Sequence, residues 1–165
     1  MASSVIVSSY AEELALYRAH HSHMGNWLLH AACVPLEWLS FLITLALVEP
    51  RLPWAVQGAL AALVLACNRP ALVSVCISLG LLVLAQAANW VVIDLVPGRR
   101  IHAIALAAGS CSLSWAVQVP IGHWLLERNQ PSMASRLTIN SVLLSVPLAW
   151  DRGLLLDSQL ERKIK

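Results

Sequence analysis

Charge is what this chain of 165 residues has least of. Asp, Glu, Lys and Arg make up 12% of it, against about 25% in a soluble domain, while 58% is hydrophobic, against about 45–50%. That shortage excludes a solvated enzyme of ordinary composition and points to a polytopic membrane protein. The net charge of +2, with no basic block outside the terminal RKIK, excludes nucleic acid as a partner; the tail suits anionic lipid headgroups. The four cysteines (Cys33, Cys67, Cys76, Cys111) have no CxxC spacing, so they read as buried small hydrophobes rather than redox or metal thiols. The opening MASSVIVSSYAEE lacks a basic n-region and a continuous apolar stretch. No cleavable signal peptide is expected, and insertion falls to the first membrane helix. The length suits one domain, residues 1–165, without a separate soluble catalytic module.

What the chain does have is a series of apolar runs. The expected fold is all-α: a membrane helical bundle of about four transmembrane spans, an N-terminal interfacial helix and a short C-terminal re-entrant or interfacial segment. The interfacial helix is placed at 10–23, capped by Ser8 or Ser9, with Glu12 and Glu13 in its first turn. It aligns Tyr10, Leu14, Tyr17 and His21, a stripe that suits either the bilayer surface or the wall of a site. A break at Gly25 and a cap at Asn26 lead into the spans, at about 27–48, 54–67, 71–93 and 101–126. Pro35 inside the first is tolerable where neighbouring helices satisfy the freed backbone. The apolar segment 137–150, broken by Pro147, is too short to cross.

Four of the six histidines (His20, His21, His23, His30) crowd the entrance of the first span, and His123 lies in the last. An ionisable side chain at such depth is costly and marks a functional site by default. Four crossings return the chain to the side on which it started, so the entry of span one meets the exit of span four. Eight of the eleven Lys and Arg residues (Arg18, Arg69, Arg128, Arg136, Arg152, Arg162, Lys163, Lys165) fall on that side, and Arg51, Arg99 and Arg100 on the other. The N-terminus and the site are therefore expected to face the cytosol. His102 is 21 residues before His123, about 31 Å along a helix, and belongs to the opposite surface. It and His20 read as headgroup-level residues.

At about 100° per residue, His30 shares a face with His23 and Asn26. His21 joins it only if the chain breaks near Gly25, so either histidine can complete the set. His123 and Glu127, at i and i+4, share a face on an α-helix. Imidazoles without thiolate suit iron or zinc. Glu127, Asn26 and Tyr17 are available to orient such ligands or a substrate.

Two spaced patterns carry a resemblance. Tyr17, His21, Asn26, His30 and Pro35 form Y-x3-H-x4-N-x3-H-x4-P, and Trp115, Gln118, Gly122, His123, Glu127 and Pro131 form W-x2-Q-x3-GH-x3-E-x3-P. Together they resemble the Mpo1-like family, a group formerly of unknown function that includes a 2-hydroxy fatty acid dioxygenase. The likeness covers about Tyr10 to Trp150. It implies an endoplasmic-reticulum membrane enzyme that uses Fe(2+) and dioxygen to shorten a 2-hydroxy fatty acid by one carbon, in fatty acid alpha-oxidation. It also implies His21, His30 and His123 as the metal ligands, choosing His21 over His23. The chain departs from the family where Arg128 is followed by Asn129 and Gln130 rather than a second basic residue. Val119-Pro120-Ile121 also stands in place of a phenylalanine-rich stretch. Both changes bear on the substrate more than on metal binding, and a related lipophilic substrate is compatible with them. The residues alone also allow a metal-free isomerase or cyclase using His and Glu as acid and base, or a non-catalytic lipid-binding scaffold.

Overall fold

The computed structural model describes residues 10–66, 71–131 and 145–150. All regular structure among them is helical, without a strand. Helix α1 spans Tyr10–His20, α2 Met24–Val48, α3 Leu52–Ala66 and α4 Ala71–Trp90; α4 continues as a π-helical turn, Val91–Leu95. Helix α5 spans Arg100–Val117 and runs on, without a break, into a π-helical stretch, Gln118–Glu127. The chain enters α5 through Pro97 and Gly98, the latter at φ +69°, a left-handed value that suits glycine.

Three of these rods are long and apolar enough to cross a membrane: Met24–Val48, Ala71–Leu95 and Arg100–Glu127. Their outward faces carry Leu72, Val83, Ile101, Leu113, Trp124 and Leu125, a surface that suits lipid rather than water. Helix α3, expected as the second of four spans, is apolar but has only 15 residues. At 1.5 Å per residue that is about 22 Å, short of the roughly 30 Å hydrocarbon core. The first helix also stops sooner than expected, at His20 rather than residue 23.

Two apolar cores stack along the bundle. One joins Leu14 and Tyr17 of α1 to Val34 and Trp38 of α2, Leu60 and Val64 of α3, and Ile77 and Leu81 of α4. The other joins Leu42 and Ile43 to Ala88, Val91, Ala103 and Ala107. The first therefore gathers the start of α2, the end of α3 and the start of α4 at one end, as alternating helix directions require. Ser78 Oγ of α4 donates to the Ala61 carbonyl of α3 at 3.3 Å within it.

The expected segment 137–150 is described only over 145–150, which is helical; the remainder lies outside the described residues. Those six residues sit against α2 and α4. Trp38 Nε1–H donates to Ser145 Oγ at 2.6 Å, Trp27 Nε1–H to the Ala149 carbonyl at 2.7 Å, and Trp150 Nε1–H to the Ala31 carbonyl at 3.1 Å. The Trp150 ring presses on α4 where Gly80 leaves room; any Cβ there would overlap it. The cysteines are less uniform than expected. Cys33 is buried, but Cys111 is half-buried and Cys76 is exposed, because apolar positions on a span also face outward; Cys67 lies outside the described residues.

Candidate metal centre

The centre begins at the break between α1 and α2. His23 is the N-cap of α2 (φ −76°, ψ 126°), and its Nδ1 accepts from the Gly25 N–H at 3.1 Å. Gly25 and Asn26 thus lie inside the first turn rather than forming the break and the cap. The reason comes from far along the chain. Glu127, at the end of the π-helical stretch, accepts from Ser22 Oγ–H at 2.8 Å, the His23 backbone N–H at 2.6 Å and Asn26 Nδ2–H at 3.3 Å. A carboxylate at a helix N-terminus meets both the orphan N–H groups and the positive end of the dipole. The cap keeps His23 exposed and lets the chain turn so that His21 is 2% exposed.

His30 stands inward from the first turns of α2. His123 arrives on the π-helical stretch. Pro120 has no N–H to donate, and the ladder there closes at i→i+5, as in the bond from the Arg128 N–H to the His123 carbonyl. The hydrogen bonds thus close one residue later than in an α-helix, yet His123 and Glu127, four residues apart, still face α2 together: His123 meets His30 and Glu127 meets Asn26. Arg128 ends the stretch in the left-handed conformation, φ 53°. Gly122 lets α5 approach α2: a Cβ there would overlap Asn26 Oδ1 and come within 3.6 Å of His30 Cε1.

The ligand atoms of His21, His30 and His123 lie within 4.8 Å of one another, and all three residues are buried. His30 Nε2 and His123 Nε2 are 3.2 Å apart. Ring centroids of His21 and His30 are 4.2 Å apart, His30 and His123 4.9 Å, and His21 and His123 5.1 Å, with steep interplanar angles of 77°, 80° and 70°. Tyr17 stacks on His21 at 3.9 Å and 13°, so α1 forms part of the site wall.

Hydrogen bonds fix the tautomers. His21 Nδ1–H donates to the Tyr17 carbonyl at 2.7 Å and His30 Nδ1–H to the Asn26 carbonyl at 3.0 Å. On both rings Nε2 is then the lone-pair nitrogen. Two imidazole nitrogens 3.2 Å apart match neighbouring ligands of one ion with bonds of about 2.0–2.1 Å. Three imidazoles in a buried pocket form a donor set that suits a transition metal, with positions left for other ligands. His123 Nδ1 and Asn26 Oδ1 have no partner among the described residues.

Of the residues singled out by sequence, His21, His30, His123, Tyr17, Asn26 and Glu127 converge. Glu127 does so by holding the α1–α2 link. His20 Nδ1–H donates to the Gln130 carbonyl at 3.3 Å, and His102 is exposed on the far end of α5. Sequence reasoning missed Glu37, the one carboxyl in α2, which accepts a hydrogen bond from Gln118 Nε2–H of the π-helical stretch. An ionisable residue at a span centre costs about 2.5–3.5 kcal/mol on insertion scales. That cost, and its place seven residues after His30, were available signals.

A family model described as 2-hydroxy-palmitic acid dioxygenase Mpo1-like matches residues 7–151. No curated protein and no solved structure matches the chain.

Proposed function

Because the chain belongs to the Mpo1-like family, we propose that it is an Fe(2+)-dependent dioxygenase that shortens a 2-hydroxy fatty acid by one carbon. The observation that carries this reading is the cluster of three buried imidazoles, with two Nε2 atoms 3.2 Å apart. His21, His30 and His123 would hold the ion. Bound there, iron supplies Lewis acidity toward the substrate oxygens and the means to use dioxygen. The carbonyls of Tyr17 and Asn26 hold two of the rings in register, and the Tyr17 ring covers His21. Glu127 keeps the α1–α2 link turned inward. His123 Nδ1, with no partner among the described residues, is a donor for a substrate carboxylate or hydroxyl. The stoichiometry closes without an added reductant: a 2-hydroxy acid and dioxygen give the acid one carbon shorter, carbon dioxide and water.

The whole chain acts as one membrane unit, with α3 as a shortened fourth crossing. The excess of Lys and Arg on the N-terminal side supports a cytosolic site, and the family likeness supports the endoplasmic reticulum. The test is iron-loaded protein in mild detergent with 2-hydroxypalmitic acid. Oxygen-dependent conversion to the acid one carbon shorter is expected; no oxygen-dependent loss of substrate contradicts the reading. A second reading has its own support. The 3.2 Å contact between His30 and His123 also suits a metal-free acid–base pair in an isomerase or cyclase. Activity that survives exhaustive chelation would favour it.

A further inference from the structure

Below the histidines, the interface between α2 and α5 stays polar where an alkyl chain would want it apolar. Glu37 lies seven residues past His30, about 10 Å along the axis and nearly on the same face. It is half-buried and bonded to Gln118, one π turn before His123. Ser114 Oγ, a turn further on, is buried with no partner among the described residues. Ser40 and Ser110 then meet across the same seam at 2.7 Å.

Helix–helix adhesion does not account for this pattern. Hydroxyls and amides bond across membrane helices, but a carboxyl costs more to bury there than one such bond returns. Glu37 accepts from a single amide among the described residues, and its two oxygens have capacity for more. Its half-exposure leaves that capacity reachable from outside the helix pair.

Resting on the dioxygenase reading, we propose that Glu37 and Gln118 form a second, polar subsite for the substrate. It takes a hydroxyl or similar neutral hydrogen-bonding group carried mid-chain, about 10 Å from the carbons held at the histidines. The preferred substrate is thus a lipophilic acid with a second polar function. A plain fatty acyl chain leaves this subsite unsatisfied.

The test measures binding rather than turnover. Protein in nanodiscs is titrated with 2-hydroxypalmitic acid and with the same acid bearing a mid-chain hydroxyl, for wild type, Glu37→Leu, Gln118→Leu and Glu37→Gln. Wild type is expected to bind the dihydroxy acid about tenfold to a hundredfold more tightly. Either leucine variant brings that ratio to about one without changing metal content, and Glu37→Gln keeps most of it. Equal wild-type affinities overturn the proposal, as does a uniform loss for both acids in every variant that folds. If the preference holds while no oxygen-dependent loss of either acid occurs, the dioxygenase reading fails and the subsite stands.

Discussion

The two helix pairs of the bundle are packed by different means. Helices α3 and α4 carry a mainly apolar core of Leu60, Ala61, Val64, Val73, Ile77 and Leu81, with the Ser78–Ala61 bond and the buried Gln57 and Ser74 as its polar exceptions. Helices α2 and α5 share an apolar end, where Leu42 and Ile43 cluster with Ala103 and Ala107, but toward the site they meet through Asn26, His30, Glu37 and Ser40 on one side and Ser110, Ser114, Gln118, Gly122 and His123 on the other. Lipid tails are as apolar as leucine, so an apolar seam gains only packing contacts. A polar seam in the same solvent is expensive, and its residues are expected to answer to chemistry. The contrast divides the molecule into a support and a working face.

Mutations separate the two. The largest effect is expected from His30→Ala or His123→Ala, which remove bound metal and with it all oxygen-dependent activity. Leu81→Ala in the apolar seam lowers stability by about 2–5 kcal/mol yet leaves the metal content of the folded fraction unchanged; metal analysis beside thermal unfolding reads both. Next comes Glu127→Ala. It strips the acceptor from Ser22, His23 and Asn26 and is expected to weaken metal affinity about tenfold to a hundredfold, as measured by competition with a chelator. Gly122→Ala drives a methyl group into Asn26 and is expected to cost about tenfold in the same assay. Gly109→Ala, on the same helix with nothing within 4 Å of its Cβ, costs nothing. The smallest effect belongs to Trp38→Phe. It removes one indole bond to Ser145, costs about 1 kcal/mol of stability and leaves metal affinity unaltered.

Apolar periodicity made most of the architecture legible, since hydrocarbon thickness and helical rise together leave few alternatives for a long apolar run. It also placed His30 and His123 at one end of the bundle. The choice between His21 and His23 was not legible from local spacing. It depends on Glu127, a hundred residues on, whose bonds to Ser22 and His23 move the helix start. The π-helical register was hidden for a related reason. Pro120 hinted at a disturbed ladder, but an apolar run reads alike in either helix type, and His123 and Glu127 share a face in both. Glu37 was overlooked because one carboxyl hardly alters the hydropathy of a 25-residue span, although that carboxyl is costly in lipid.

X-ray absorption at the iron edge of the reconstituted protein tests the central claim most directly. One ion per chain with outer-shell scattering from three imidazoles is the expected result, with no bound iron in His123→Ala. A wild-type spectrum without imidazole scattering, or one that His30→Ala and His123→Ala leave unchanged, would contradict it.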